Sequence, residues 1–401
     1  MTLLTHRRGD SVSRPAPNAR PDSLFTVLSP SHDGASVRVA DGFTASCPSC
    51  GAPARLLIAP GILPSKVAVH RCRSCSLDFL SDAPDDRYWD TAGQDAIYDD
   101  PSISAERLCF FSGILTTISR LSISPLPPGE GQGEGALHSL SCKRTHASVP
   151  HDVSHRHSTA PLLSCSTLCD RRSPGEGRVR VPSHSSHPSN SSHVRVSTLL
   201  DIGAGKGEFA LLAATSGFAV SILEPSSRAT AGLSEKGVRE VFNCSVEDFA
   251  PPREYDCVTL LDLLEHTRDP RATLRKAASC LAPGGILVIL TPDGASVLRR
   301  FALALGRASA ATAGILKYQY YLPHYSYANL DWMRKAAPLC GLAIVAVEHP
   351  ATPKRFLLAK LHHHYRKYAG NHLLSSAVNL LWPLACLGLG NKLLIYLRKV
   401  R

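Results

Sequence analysis

Strand and helix signals alternate along residues 196–300, and this alternation restricts the fold more than any other feature of the sequence. Apolar runs within that range predict five strands, at 196–202, 219–223, 241–244, 255–261 and 285–290. Helical patterns lie between them, at 209–216, 226–236 and 270–281. Further along the chain, a helix is predicted at 328–340 and two strands at 341–347 and 393–397. This order predicts an α/β fold with a doubly wound, Rossmann-like sheet of seven mostly parallel strands.

A segment of very different composition, residues 122–193, lies just before the first of these strands. Its 72 residues include 16 Ser, 8 Pro, 6 Gly and 8 His but no Phe, Tyr or Trp, and the tetrapeptide Pro-Gly-Glu-Gly occurs in it twice. Such a composition cannot bury enough apolar surface to offset the entropy of ordering the chain. We therefore predict a low-complexity, disordered insertion, which looks like a translated repetitive DNA element.

The rest of the chain divides by composition and periodicity. A helical connector is predicted because Leu108, Phe111, Leu115 and Ile118 recur at helical spacing. The predicted segments are a disordered N-terminus (1–45), a cysteine-rich module (46–82), the helical connector (83–121), the insertion (122–193), the α/β domain (194–350) and a basic and apolar C-terminal extension that includes the last strand (351–401).

The cysteine-rich module contains two Cys-x-x-Cys knuckles separated by 21 residues, Cys47–Cys50 and Cys72–Cys75. Two such knuckles supply four thiolates, which complete a tetrahedral zinc shell and leave no open position for catalysis. A redox pair is the alternative, but the thioredoxin-like strand and helix around it are missing. The module is therefore predicted to be a zinc ribbon with one structural Zn²⁺.

The segment that carries the chemistry is Asp201-Ile-Gly-Ala-Gly-Lys-Gly207. It joins the first predicted strand of the α/β domain to the first helix. Glycines at alternate positions let the backbone turn tightly and let a ligand approach it closely. The helix N-terminus adds unpaired N–H groups, and the site would lie in the crevice at the carboxyl ends of the strands. The dinucleotide pattern Gly-x-Gly-x-x-Gly is excluded because position 208 is Glu.

The pattern instead resembles motif I of class I S-adenosylmethionine-dependent methyltransferases, and further segments resemble that family in the expected order. They are Glu224-Pro225 after the next strand, Glu247-Asp248, Leu261 to Pro270 after the fourth strand, Pro283-Gly-Gly before the fifth strand, and His324-Tyr325 with Leu330. The last of these segments is similar to a segment of small-molecule methyltransferases, including those of ubiquinone biosynthesis. The resemblance implies that Glu224 binds the ribose hydroxyls and Asp248, or less readily Glu247, the adenine amino group. The complete set of implied cofactor-binding residues is Asp201, Gly203, Ala204, Gly205, Gly207, Glu224, Pro225, Glu247, Asp248 and Leu261.

Two histidines are the candidate general bases, His266 and His324, with Tyr325 as a weaker one. A histidine with a pKa near neutrality suits an acceptor that must lose a proton. His266 could equally orient the loop that follows the fourth strand. The sequence Asp262-x-x-Glu265-His266 also resembles the divalent-ion cluster of some catechol O-methyltransferases of quinone synthesis, although related enzymes keep the Glu-His pair without metal.

The net charge of +11 is concentrated at the C-terminus, because residues 351–401 contain nine Lys or Arg and no acidic residue. A general nucleic-acid-binding surface is not expected, since it would need basic residues over the folded body. The tail is either a solvated basic tail or a peripheral contact with lipid headgroups, because basic residues flank an apolar stretch at 373–389 that is too short to span a membrane. Thirteen scattered cysteines and the lack of an apolar leader favour a cytoplasmic protein.

These features predict a methyltransferase that acts on a small or lipid-linked acceptor. Two alternatives stay open: a non-catalytic zinc-ribbon scaffold that keeps the methyltransferase fold, and a nucleic-acid methyltransferase. The second lacks the Asn/Asp-Pro-Pro-aromatic motif that the base-flipping, amino-methylating enzymes use. Nothing in the sequence specifies the acceptor.

Overall fold

The computed structural model describes residues 43–63, 67–81, 101–123, 197–308, 313, 316, 319–320, 323–365, 375–376, 379–380 and 389–400. The predictions for the N-terminus, for nearly all of the insertion and for most of the apolar stretch at 373–389 lie outside the described residues. Helices within the described residues are α1 (Pro101–Ile123), α2 (Glu208–Thr215), α3 (Pro270–Ser279), α4 (Val297–Ala308), α5 (Leu330–Ala336) and α6 (Lys354–Tyr365). The strands are β1 (Phe43–Ser46), β2 (Pro53–Ile58), β3 (Val69–Cys72), β4 (Asp78–Leu80), β5 (Thr198–Ile202), β6 (Ala219–Leu223), β7 (Glu240–Phe242), β8 (Tyr255–Leu261), β9 (Leu281–Pro292), β10 (Ser326–Tyr327), β11 (Leu342–Glu348) and β12 (Lys392–Lys399).

Seven strands form the larger sheet, in the order β11-β12-β9-β8-β5-β6-β7. The five strands from β5 to β9 run parallel, and β12 is antiparallel to both of its neighbours. From β5 the chain moves first toward β7 and then returns to β8 on the other side. The carboxyl ends of β5 and β8 therefore border the crevice in which sheets of this type bind ligands. The predicted α/β architecture with a mostly parallel seven-stranded sheet is confirmed.

Both faces of this sheet are covered by apolar side chains, as expected for parallel strands. One face packs on α3 and α5 and includes Trp332 and Leu274, which have no exposed surface. The other face packs on α1 and α2, where the rings of Phe111 and Phe209 meet edge to face at 5.5 Å. The predicted connector helix α1 thus forms part of the core of the α/β domain.

A second, antiparallel sheet has the order β1-β2-β3-β4-β10. Its first four strands come from the cysteine-rich module, whereas β10 comes from the α/β domain. Ser326 pairs with Phe79 and Tyr327 with Asp78 in this register. The cysteine-rich module is therefore joined to the α/β domain by strand pairing.

The structure corrects one predicted element and shortens another. Residues 226–236 are not a helix, because only a 3-10 turn at Ser234–Lys236 forms there. Gly232 adopts a left-handed φ of 73°, and the Ser226 hydroxyl accepts a hydrogen bond from the Ala229 amide, so both residues favour turns over a helix. The predicted helix at 328–340 is interrupted by Pro338, and a separate 3-10 turn follows α5.

The basic C-terminal extension is partly folded into the larger sheet as β12. Lys392 pairs with Asp262, Arg398 donates to the Leu121 carbonyl oxygen at 2.7 Å, and Lys399 donates to the Leu281 carbonyl oxygen at 2.5 Å. These three cations are bound within the molecule and are not simply solvated. No helix among the described residues is long and apolar enough to cross a membrane.

Candidate functional site

The glycine turn between β5 and α2 has the conformation that its sequence predicts. Gly203, Gly205 and Gly207 all have left-handed φ values, of 77°, 54° and 78°. A Cβ atom on Gly203 would lie 2.9 Å from Leu263 and one on Gly207 would lie 2.7 Å from Leu233, whereas one on Gly205 would meet no atom within 4 Å. The left-handed backbone favours glycine at all three positions, and the middle glycine borders open space where a ligand can approach the backbone.

Glu224 faces this turn from the end of β6. Its Oε2 accepts a hydrogen bond from the Gly205 amide at 3.0 Å, and its Oε1 accepts one from the Ser226 amide at 3.1 Å. The Gly203 amide donates to the Leu223 carbonyl oxygen at 2.7 Å, which ties the start of the turn to the same strand. Each carboxylate oxygen keeps acceptor capacity for a further hydroxyl donor. Glu224 therefore lies where the ribose-binding acid was predicted.

Asp201 occupies a different environment, because it is only 3% exposed. Its Oδ1 accepts a hydrogen bond of 2.6 Å from the Thr259 hydroxyl on the neighbouring strand β8. Burial raises the pKa of this carboxyl to about 7, and the negative charge of Glu224 acts in the same direction. The structure thus brings Asp201 and Glu224 together, but the Asp201 carboxyl lies within the protein and its predicted contact with the cofactor remains a prediction.

Thr259 was missed by the sequence reasoning. It lies directly opposite Asp201 in the parallel register of β5 and β8, which makes it the natural partner of a buried acid at that position. A hydroxyl within the otherwise apolar run of β8 was the available signal, since a buried polar side chain needs a hydrogen-bond partner.

The residues predicted to surround the adenine and ribose are near the surface. Glu247, Asp248 and Pro225 are exposed, and Ala204 and Leu261 are half-buried. The Asp248 carboxylate accepts a hydrogen bond from the Ser245 hydroxyl at 2.7 Å, so it is held in a local turn. Their roles toward a cofactor remain predictions.

The two predicted bases lie together. The rings of His266 and His324 are 4.6 Å apart between centroids and nearly perpendicular. His266 Nδ1 lies 3.1 Å from the Pro323 carbonyl oxygen, which can only accept a hydrogen bond, so Nδ1 carries the proton in this contact and Nε2 is the basic nitrogen. The Tyr325 amide donates to the Glu265 carbonyl oxygen at 2.8 Å. Two residues that are far apart in the sequence therefore form one histidine pair.

The acidic residues near this pair behave differently from each other. Glu265 is 2% exposed and accepts a hydrogen bond from the Thr291 hydroxyl at 2.8 Å, and burial raises its pKa to about 7. Among the described residues, one potential ligand atom each of Glu265, His266 and His324 lies within 4.8 Å of the others. Asp262 is absent from this group because it pairs with Lys392. The group that the described residues form thus contains His324 in place of Asp262, and binding of an ion by Asp262, Glu265 and His266 stays a prediction.

The four knuckle cysteines come together as predicted. Cys47, Cys50, Cys72 and Cys75 each offer a sulfur within 4.8 Å of the others. The sulfurs of Cys47 and Cys75 are 3.6 Å apart, and those of Cys50 and Cys72 are 3.5 Å apart. The contact between Cys47 and Cys75 lowers the pKa of the Cys47 thiol and raises the pKa of the Cys75 thiol, because the two sulfurs share a proton. This donor set of four sulfurs fits Zn²⁺.

Comparison with known proteins agrees with this geometry. Residues 178–347 match the family described as Methyltransferase domain, and the match begins within the segment predicted as an insertion. The ubiquinone biosynthesis O-methyltransferase of Xanthomonas euvesicatoria is 38% identical over 100 residues, which are 23% of this chain and 42% of that protein. The protein of the same name from Serratia proteamaculans is 37% identical over 95 residues, 22% of this chain and 39% of that protein.

The aligned part thus covers about two fifths of the length of these curated relatives. A solved structure described as a SAM-dependent methyltransferase and possible histamine N-methyltransferase, from Thermotoga maritima, aligns with 52% of this chain and 84% of its own, at 17% identity and a TM-score of 0.33. The family match and the curated relatives together support an S-adenosylmethionine-dependent methyltransferase domain at residues 178–347.

Proposed function

We propose that this protein transfers a methyl group from S-adenosylmethionine to a small or lipid-linked acceptor. The observation that carries the proposal is the open space beside the left-handed Gly205, bordered by Glu224 at the carboxyl edge of the parallel sheet. The conformation and the free surface of Gly205 suit a ligand that lies against the backbone.

The residues around this space fit the cofactor. Glu224 would accept hydrogen bonds from the ribose hydroxyls, and the turn from Gly203 to Gly207 would lie against the methionine part. Asp248 would reach the adenine side, because it is exposed at the end of the segment that follows β7. Asp201 would support the turn from within the protein, where its carboxyl accepts a hydrogen bond from the Thr259 hydroxyl.

Bound S-adenosylmethionine supplies an activated methyl group on a positively charged sulfur. The protein then has to align the acceptor and remove water, since proximity provides much of the rate. His266 is suited to take a proton from a hydroxyl or amine acceptor, because its Nε2 is the basic nitrogen when Nδ1–H donates to Pro323. His324 lies beside it and completes the histidine pair on the acceptor side.

A labelled-methyl transfer assay against fractionated cell extract tests the function. We expect radioactivity from the labelled methyl group in a small-molecule or lipid fraction. We expect Glu224→Ala to reduce it at a subsaturating cofactor concentration by weakening cofactor binding at least tenfold, because hydrogen bonds to a charged group contribute about 1.5–3 kcal/mol. Label found mainly in nucleic acid would favour the alternative substrate class. If S-adenosylmethionine fails to bind to the wild-type protein, the protein is a scaffold.

We further propose that the cysteine-rich module binds one structural zinc ion through Cys47, Cys50, Cys72 and Cys75. The four convergent sulfurs support this assignment. Metal analysis of the purified chain should give about one zinc per molecule, and the double substitution Cys47→Ser with Cys50→Ser should remove it, since two thiolates cannot complete the tetrahedral shell. The exposed Cys109 provides the control, because Cys109→Ser should leave the zinc content unchanged.

Contact of residues 360–400 with a membrane surface stays a prediction. Leu380 and Leu389 are 79% and 48% exposed, which supports it. Lys392, Arg398 and Lys399 do not support it, because each is bound within the molecule.

A further inference from the structure

The cysteine-rich module makes contacts that a separate binding domain would not need. Strand β4 of the module pairs with β10, and the Leu80 amide donates to the Tyr325 carbonyl oxygen at 3.0 Å. The residue before Tyr325 is His324, one of the two candidate bases. The module is therefore hydrogen-bonded to the backbone of the residue that follows His324.

Both cysteine knuckles are also held by the residues around α5. The Trp332 indole N–H donates to the Ser49 hydroxyl at 3.0 Å, within the first knuckle. The Asn329 side chain donates to the Ser76 carbonyl oxygen at 2.8 Å, directly after the second knuckle. Lys335 Nζ donates to the Ser74 carbonyl oxygen at 2.6 Å, within the second knuckle. Three side chains of one short segment thus hold both knuckles through bonds to serine hydroxyl or backbone groups.

A buried cluster of charged and aromatic side chains lies at the contact between the cysteine-rich module and the α/β domain. Asp78 of β4 has no exposed surface and forms a two-point ion pair with Arg71, at 2.6 and 2.7 Å. The Tyr320 hydroxyl lies 3.4 Å from the same carboxylate. The guanidinium of Arg299, which is 5% exposed, lies over the rings of Tyr320 and Tyr327 at 4.6 and 4.1 Å. The module therefore supplies the carboxylate for a buried cluster that includes Tyr327 of β10.

Tyr327 in turn contacts His324, with ring centroids 5.4 Å apart. On its other side, the segment is held by the bond from the Tyr325 amide to Glu265 and by the bond from the Gly294 amide to the Ala328 carbonyl oxygen at 2.8 Å. His324 therefore lies between the α/β domain, which carries His266, and the cysteine-rich module. The α/β domain holds the residues on both sides of His324 through the Pro323 and Tyr325 bonds, and the module holds the same segment through the bond from Leu80.

We propose that the cysteine-rich module is a positioning element of the acceptor site: in its metal-bound state it fixes β4, and β4 holds the segment from His324 to Tyr327 in place against His266. The proposal rests on the proposed zinc site and extends the proposed function. It assigns no chemistry to the metal and no contact between the metal and the acceptor. Loss of the metal, or oxidation of the four thiols, should loosen the acceptor site while the cofactor crevice stays formed.

Amide hydrogen exchange of the full chain tests this, with zinc present, after removal by a chelator, and after zinc is added back. We expect the peptides that contain Leu80 and Tyr325 to exchange about tenfold faster without zinc and to recover when zinc returns, because their opening becomes a local event. The peptide that contains Gly205 should change little. Unchanged exchange at Tyr325, or an equal increase at Gly205, would overturn the proposal.

A pair of lysine variants keeps the proposal testable if zinc removal unfolds the protein. Lys335→Ala removes a lysine-to-carbonyl bond to the second knuckle, and Lys276→Ala removes a bond of the same kind to the Phe249 carbonyl oxygen, 2.7 Å long and outside the module. With zinc bound, Lys335→Ala should speed exchange at Tyr325 and Lys276→Ala should not. Equal effects of the two variants would contradict the proposal. The measurement needs no cofactor, so failure of the protein to bind S-adenosylmethionine would reject the proposed function and leave this comparison intact.

Discussion

Two regions of the molecule are built in different ways: the glycine turn beside Glu224, which is the proposed cofactor crevice, and the pair of His266 and His324, which is the proposed acceptor side. The crevice is formed by a few consecutive residues, from Asp201 to Gly207, together with Glu224 from the next strand. The acceptor side brings together His266, His324 and a strand from the cysteine-rich module that lies much earlier in the chain. The comparison shows that the glycine turn is specified by consecutive residues, whereas the histidine pair depends on contacts between distant segments.

Substitution of His266 should give the largest difference between the two regions, because it should lower the rate of methyl transfer without changing cofactor affinity. Removing a general base typically lowers the rate by about 10²–10⁴-fold. We therefore expect His266→Gln to reduce methyl transfer by at least about 10²-fold, while S-adenosylmethionine affinity measured by calorimetry stays unchanged. His362, which is exposed on α6, is the control, and His362→Gln should retain full activity. A parallel loss of cofactor affinity in His266→Gln would show that the two regions are not separate.

The crevice should respond to changes at its central glycine. Gly205→Val places a branched side chain in the open space and in a left-handed backbone conformation, so we expect S-adenosylmethionine affinity to fall by roughly 100-fold, which corresponds to about 2.7 kcal/mol. Gly217 is a matched control because it also has a left-handed φ, of 94°, and a Cβ added to it would meet no atom within 4 Å, but it lies in the turn after α2. Gly217→Val should strain the backbone similarly and leave cofactor affinity unchanged. Equal loss in both variants would place the cofactor elsewhere.

Both regions should make the stability of the protein depend on pH. Burial raises the pKa of Asp201, in the crevice, and that of Glu265, on the acceptor side, to about 7. A carboxyl whose pKa is higher in the folded than in the unfolded protein stabilises the fold at low pH, and this contribution is lost as the pH rises from about 4 to about 7. Each group should therefore contribute on the order of 3 kcal/mol to the pH dependence of the free energy of unfolding.

Asp201→Asn should remove about half of that pH dependence, because an amide oxygen can still accept the hydrogen bond from Thr259 and does not titrate. Urea unfolding at pH 4.5 and 7.5 measures the difference. Asp248→Asn serves as the control, because it makes the same change at an exposed residue. An unchanged pH dependence in Asp201→Asn would mean that this carboxyl is ionised throughout the range.

The parts of the fold that depend on short-range patterns were predicted well. The strands at 219–223 and 255–261 match β6 and β8 at both ends, and the four cysteines converge as their spacing predicted. The helix expected at 226–236 was wrong, because its apolar spacing was outweighed by Gly232 and by the turn at Ser226. Local backbone preference therefore determined the conformation of residues 226–236.

The acceptor side was only partly predictable. The sequence indicated His266 and His324 as separate candidates, and their contact depends on tertiary structure. The pairing of Asp262 with Lys392 joins residues 130 positions apart, so no local pattern could indicate it. The contacts of Asp78 with Tyr320 and Arg299 were missed for the same reason, and a buried acid in the middle of an apolar segment, Leu77 to Leu80, was the available signal.

The pairing of β4 with β10 also constrains how the protein is made. Ribosomes deliver the chain from the N-terminus, so β4 emerges long before its partner, which begins only at Ser326. Until then one edge of the small sheet has unsatisfied backbone groups and is open to pairing with another strand. Slow translation or truncation ahead of Ser326 should therefore promote aggregation through β4, and a nascent chain stalled there would be a natural client for chaperones.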